Sequence, residues 1–274
     1  MDFKQICWLA SYPKSGNTWL RLLLDAYFLG DVDINDICIA SGDVNAMYYK
    51  IDNQPANRYP LDVQQLLRPM ALTKMVLKHL NLDIDRPLFL KTHTVNGVID
   101  SVKMIPNELT RATIYLVRDP RDIVKSLASH MGYTYDQAIE MMDNSFYRLL
   151  SSETVDRQMT TILTDWGQHV KSYVLSTDKN ALLVKYEDMK QAPEQALSAI
   201  LKHCGMLVDE DNVKKAVKLT RLSRLKSQES EQGFAEKSQS NNKFFGEDHK
   251  PLTVKQRRKV ENLFGKEMKL LGYL

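Results

Sequence analysis

An α/β domain with a central, mostly parallel sheet and helices on both faces is the fold this sequence predicts, on three observations. Short apolar or β-branched runs alternate with stretches of helical spacing. The runs Ile6–Ala10 and Thr113–Val117 are apolar almost throughout rather than at every second position, as strands covered on both sides are. Finally, 274 residues with 43% hydrophobic and 26% charged side chains suit one globular domain with a large core, not a disordered or fibrous chain.

Ile6–Ala10 is the first predicted strand, and turn residues lead from it into a helix over Asn17–Leu29. There Leu20, Leu23, Leu24, Tyr27 and Phe28 recur with helical period. Leu88–Leu90 and Thr113–Val117 are further strands, the second followed by a helix over Pro120–Ser129. Ala181–Lys185 is a strand, and Pro193–Cys204 a helix that proline opens and Gly205 stops. Thr253 with Gln256 makes a capping box for a last helix presenting Val260, Leu263, Phe264, Met268 and Leu271. Residues 225–250, rich in Ser, Gln, Asn and Lys, are expected to form a mobile loop. No repeat divides the chain, so 1–274 is read as a single domain.

A formal net charge of +3 is too small to point to nucleic acid or an anionic membrane. Cys7, Cys38 and Cys204 are scattered, without metal-ligand spacing, and read as free thiols serving as small buried apolar residues. No apolar stretch approaches the roughly 20 residues that span a bilayer, and no leader-like segment opens the chain. A cytoplasmic protein is expected.

The run "WLASYPKSGNTWLRLLL", Trp8 to Leu24, places a turn between a parallel strand and a helix, which aims backbone N–H groups and the positive helix end at one point. A phosphate or sulfate suits that point. Set on the mononucleotide pattern G-x-x-x-x-G-K-[ST], Gly16 takes the second glycine, Ser11 the first, Asn17 the lysine and Thr18 the hydroxyl. The loop is P-loop-like, but its lysine has moved to Lys14 and no acidic strand end is evident to hold Mg²⁺. An oxyanion without a metal fits better than a metal-bound triphosphate.

Two more segments carry chemistry. In "IYLVRDPRDIVKSLASH", Ile114 to His130, Arg118 closes a strand and Ser126 lies eight positions on, a planar donor fork and a hydroxyl suited to phosphate. In "FLKTHTVNG", Phe89 to Gly97, period-two alternation puts Lys91 and His93 on one side of a strand end, facing one cleft. Glu187 and Asp188 read as strand neighbours whose side chains diverge, not as a paired acid and base.

"SYPKSGNTW", Ser11 to Trp19, resembles the 5′-phosphosulfate loop of the cytosolic-type sulfotransferases, in a bacterial-like member, and the two segments above resemble that family's next motifs in order. "WGQHV" at Trp166 and "KYEDM" at Lys185 continue the likeness, which covers Cys7 to Gly205. The resemblance implies 3′-phosphoadenosine 5′-phosphosulfate as donor, adenosine 3′,5′-bisphosphate as product and no metal. It implies that Lys14, Ser15, Gly16, Asn17, Thr18 and Trp19 cradle the phosphosulfate, that Arg118 and Ser126 hold the 3′-phosphate, and that Tyr186 lies beside the donor. His93 would be general base, with Lys14 and Lys91 neutralising charge on the transferring group. Trp166 is read as a core aromatic.

The acceptor would be a small molecule bearing a hydroxyl, less readily an amine. Met47, Tyr48, Tyr49, Met131, Tyr133, Tyr135, Met141 and Met142 suggest an apolar alcohol, phenol or lipid-like natural product. The family's late Arg-Lys-Gly element has no counterpart in frame within "NNKFFGEDHKPLT", where Lys243 and Lys250 are the candidate replacements. Two rivals stay open: an ATP-using phosphoryl-transfer enzyme and a non-catalytic nucleotide-binding protein. The sequence leaves oligomeric state undetermined.

Overall fold

The computed structural model describes residues 2–42, 59–82, 84–149, 160–176, 180–235, 244–245 and 249–274. Its centre is a sheet of five strands, β1 (Ile6–Ser11), β2 (Ala40–Gly42), β3 (Leu88–Thr92), β4 (Thr110–Val117) and β5 (Ala181–Lys185). They lie in the order β2-β3-β1-β4-β5, and all four pairings are parallel. The helices are α1 (Asn17–Leu29), α2 (Leu61–Asn81), α3 (Pro120–Met131), α4 (Tyr135–Met142), α5 (Trp166–Val174), α6 (Tyr186–Gln191), α7 (Pro193–His203), α8 (Glu210–Leu219), α9 (Leu222–Gln232) and α10 (Val254–Leu270).

Alternation along the strands divides the core in two. Ile6, Trp8, Ala10, Leu90, Tyr115 and Val117 face one cluster, completed by Ile123 and Leu127 of α3, Trp166 and Val170 of α5, and Val260, Phe264 and Met268 of α10. Cys7, Leu9, Phe89, Ala112, Ile114 and Leu116 face the other, with Leu20, Leu23 and Leu24 of α1, Leu197 and Leu201 of α7, and Val213 and Ala216 of α8. Both sides are buried, which is why the strands read as unbroken apolar runs. Each large side chain so buried contributes about 1.5–3 kcal/mol.

The expected elements are present, with β3 and β4 longer than their apolar runs indicate and the Thr253–Gln256 capping box formed at α10. Helix α2 was not expected. It carries Pro69 inside and Pro60 before it, and Leu66, Met70 and Leu77 stay exposed, so its apolar pattern is blurred. The stretch expected as a mobile loop opens inside a helix: α9 runs to Gln232 on helix-forming Lys, Gln and Glu, burying only Leu225 and Glu229. Of the rest of that stretch, 236–243 and 246–248 lie outside the described residues. Glu187 and Asp188 stand on α6 rather than on a strand. Cys7 and Cys204 are buried as read, whereas Cys38 is exposed. Trp166 is fully buried against Phe264.

Candidate active site

Because the strands are parallel, all their carboxyl ends open on the same edge, where α/β sheets bind ligands. The residues that follow β1, β3, β4 and β5 therefore meet: the turn from Tyr12 to Gly16, then His93, Arg118 and Tyr186. One cavity of about 720 Å³ gathers Lys14, Gly16, Asn17, Thr18, Trp19, Lys91, His93, Arg118, Ser126 and Tyr186. Of the residues expected from the sequence to cradle the donor or act on the transferring group, Ser15 alone does not line it; its side chain is fully buried.

The turn is held in a conformation that ordinary residues avoid. Lys14 has φ 69° and Gly16 φ 99°, and a left-handed backbone costs a residue with a side chain about 1–2 kcal/mol. Arg118 Nη1 donates to the Lys14 carbonyl at 3.1 Å, which fastens the turn to the end of β4. The first intrahelical bond runs from the Leu20 N–H to the Gly16 carbonyl, so the amides of the first turn point out of the helix end. No acidic residue in that turn competes for them.

Tyr186 closes the side of the turn. A Cβ on Gly16 would lie 2.5 Å from its Cδ2, so glycine is required there by contact as well as by φ. The Arg118 guanidinium lies over the Tyr186 ring, 4.5 Å from its centroid, and Trp19 meets the same ring edge-on at 6.1 Å. Among the described residues, Arg118 Nε is buried without a hydrogen-bond partner. A guanidinium fixed at two points with an orphan donor is a receptor for an anion. Lys14 Nζ lies 4.2 Å from the centroid of Phe244, whose N–H and that of Phe245 donate to the Glu229 carboxylate at 2.5 and 2.9 Å.

Asn17, at the position of the usual loop lysine, turns inward: its Nδ2 donates to the Leu9 carbonyl at 2.8 Å and to Ser11 Oγ at 3.1 Å. It fastens the helix to β1, and what it offers the cavity is its place in the amide turn. His93 Nδ1 lies 2.7 Å from the Ser11 carbonyl and 3.2 Å from Ser11 Oγ. A carbonyl only accepts, so Nδ1 carries the proton and Nε2 of the neutral ring carries the basic lone pair.

Behind His93 lies a buried polar chain. His169 Nε2 is 3.1 Å from the His93 carbonyl, and His169 Nδ1 is 2.9 Å from Tyr115 Oη. Burial lowers the His169 pKa from 6.5 to about 4, against smaller upward pulls from its bond to His93 and from Asp165. Burial likewise pushes the Tyr115 phenol well above its ordinary value.

Lys190, Thr220, Arg221, Leu222, Phe244 and Phe245 also line the cavity and were missed in the sequence. Arg221 stands just before a polar helix and Lys190 inside a short one; neither belongs to a readable pattern. Lys250 borders not this cavity but a separate one of about 300 Å³, with Lys125, Ser129 and Tyr133. Lys243 lies outside the described residues. Of the apolar acceptor candidates, Met131 and Met141 line the main cavity with Leu127 and Leu149. Met142 is buried in the core, Tyr133 and Tyr135 border the second cavity, and Met47, Tyr48 and Tyr49 lie outside the described residues. Among the described residues no helix is long and apolar enough to cross a membrane, and no group of three or more His, Cys, Asp or Glu is placed to hold a metal.

The chain is 25% identical over 223 residues to mouse sulfotransferase 4A1, covering 74% of this chain and 66% of that protein. It is 25% identical over 224 residues to the luciferin sulfotransferase of Photinus pyralis, covering 77% and 53%. The match thus spans about two thirds of the first relative's length and about half of the second's. Among solved structures, retinol dehydratase with androsterone and PAP superposes with a TM-score of 0.61 at 16% identity, covering 97% of this chain and 81% of that one. Mouse sulfotransferase SULT7A1 with PAP gives 0.58 at 20% identity, covering 97% and 85%. These structures share the fold. The family model for the sulfotransferase domain matches residues 4–272, and this chain belongs to the sulfotransferase family.

Proposed function

We propose that this chain transfers a sulfuryl group from 3′-phosphoadenosine 5′-phosphosulfate to a hydroxyl, less readily an amine, of a small-molecule acceptor, with His93 as general base. The observation that carries the reading is the 2.7 Å bond from His93 Nδ1 to the Ser11 carbonyl. It directs the basic Nε2 lone pair of a ring that lines one cavity with Lys14, Lys91 and Arg118.

The residues present fit the donor. The α1 amide turn and Lys14 would hold the sulfate end, and Arg118, through its orphan Nε, and Ser126 would hold the distal phosphate. Tyr186 would flank the donor between them. When bound, the donor supplies the sulfuryl group and a bisphosphate leaving group. His93 Nε2 takes the proton of the acceptor hydroxyl as its oxygen bonds to sulfur and the bridging S–O bond breaks. Lys14 and Lys91 offset the charge that develops on the leaving and equatorial oxygens. Leu127, Met131, Met141 and Leu149 give the cavity an apolar wall, which favours an apolar alcohol, a phenol or a lipid-like natural product as acceptor.

Thermal unfolding with adenosine 3′,5′-bisphosphate, set beside ATP with Mg²⁺, tests the donor assignment, since a ligand of the folded state alone raises the transition. The bisphosphate is expected to stabilise more. Greater stabilisation by ATP with Mg²⁺ would turn the reading toward phosphoryl transfer. Transfer of labelled sulfate to a panel of phenols and alcohols then separates an enzyme from a binding protein, with His93→Ala expected to lose turnover while keeping bisphosphate affinity.

A further inference from the structure

We infer that His169, locked by Tyr115, is the positioning residue for His93; the inference rests on the reading of His93 as general base. Strand β3 ends at Thr92, and its last pairing with β1 is Thr92 with Ala10, so sheet hydrogen bonds do not reach His93. The backbone there is gripped from α5 instead. His169 Nε2 meets the His93 carbonyl at 3.1 Å, and Tyr173 Oη donates to the Thr94 carbonyl at 2.6 Å. Two consecutive carbonyls just past a strand end are thus bonded by two side chains four residues apart on one helix.

The hydrogen-bond chemistry admits one neutral arrangement. The His93 carbonyl accepts, so His169 Nε2 carries the hydrogen. His169 Nδ1 is then the acceptor, and Tyr115 Oη donates to it at 2.9 Å. The opposite tautomer would set a lone pair against the His93 carbonyl. Tyr115 also stacks on Tyr173, with ring centroids 4.4 Å apart, so one strand residue orients both side chains of the grip. Fully satisfied buried polar chains of this kind fix a single geometry. Here the fixed element is the peptide that carries the base, while the Ser11 carbonyl holds the ring itself.

The test measures kcat per bisphosphate-binding site, so that unfolded molecules are not counted. His169→Leu is expected to lower kcat about 10- to 100-fold, as misplacement of a reacting group by about 1 Å does, with donor KM within about twofold of wild type. His169→Gln, whose amide can still donate to the His93 carbonyl, should recover most of that loss. Tyr115→Phe should lower kcat severalfold, and it keeps the test alive if His169→Leu does not fold. Wild-type kcat per site in the Leu variant, or in the Phe variant where Leu does not fold, overturns the inference, as does a Gln variant no better than Leu. If His93→Ala itself retains turnover, the base assignment has failed, a separate result from failure of the positioning role.

Discussion

Lowering the pH from 7 to 5 is expected to destabilise the wild-type fold by about 2 kcal/mol more than it destabilises His169→Gln. Burial among Tyr12, Tyr115 and Tyr173 holds the His169 pKa at about 4, against 6.5 for a free ring. In the unfolded chain the ring regains its ordinary value. Between those two values the unfolded state binds a proton that the folded state refuses, so folding stability rises with pH through this window and is lost as pH falls through it. At pH 7 the ring is neutral in both states and contributes almost nothing. At pH 5, the 1.5 units below 6.5 amount to about 2 kcal/mol, because one proton taken up by a single state is worth about 1.4 kcal/mol per pH unit. Urea unfolding followed by tryptophan fluorescence at pH 7, 6 and 5 reads this directly. Other titrating groups are common to both proteins and cancel in the difference. Parallel stability curves for wild type and His169→Gln over this range would refute the reasoning. A diverging pair would establish that the ring behind His93 stays neutral in the folded protein down to about pH 5.

Three further outcomes follow from the geometry of the cavity. Gly16→Ala should lower stability by at least about 1–2 kcal/mol for its positive φ and weaken bisphosphate binding by displacing Tyr186, whose ring stands 2.5 Å from the added Cβ; calorimetric titration with unchanged affinity would contradict the cradle. Arg118→Ala should weaken bisphosphate binding about 10- to 100-fold, the worth of a hydrogen bond to a charged group at about 1.5–3 kcal/mol. Arg118→Lys should recover little, because an ammonium cannot reproduce the planar stack on Tyr186; a fully active lysine variant would count against the fork. Glu229→Ala removes the acceptor of the Phe244 and Phe245 N–H groups and should cost about 1–3 kcal/mol in denaturant unfolding; no change in midpoint would mean that this carboxylate does not anchor the segment.

Much of this protein is legible in local order along the chain. Apolar runs at Ile6 and Thr113 already declare strands buried on both faces, and Pro-Lys-Ser-Gly between the first of them and a helix already declares a turn that aims backbone amides at one point, because both depend on neighbouring residues alone. Period-two alternation places Lys91 and His93 on one side before any fold is known. Helix α2 and helix α9 were obscured because exposed apolar residues blur one pattern and polar residues fill the other. Only tertiary structure turns Asn17 inward onto Leu9 and Ser11, sets Arg118 on Tyr186, brings Arg221 and Phe244 into the cavity, and stands His169 behind His93. The hydrogen-bonded partners among these lie from 6 residues apart, in Asn17 and Ser11, to 76, in His169 and His93. Side-chain direction and donor pairing across such separations are set by packing between layers, which no local periodicity encodes.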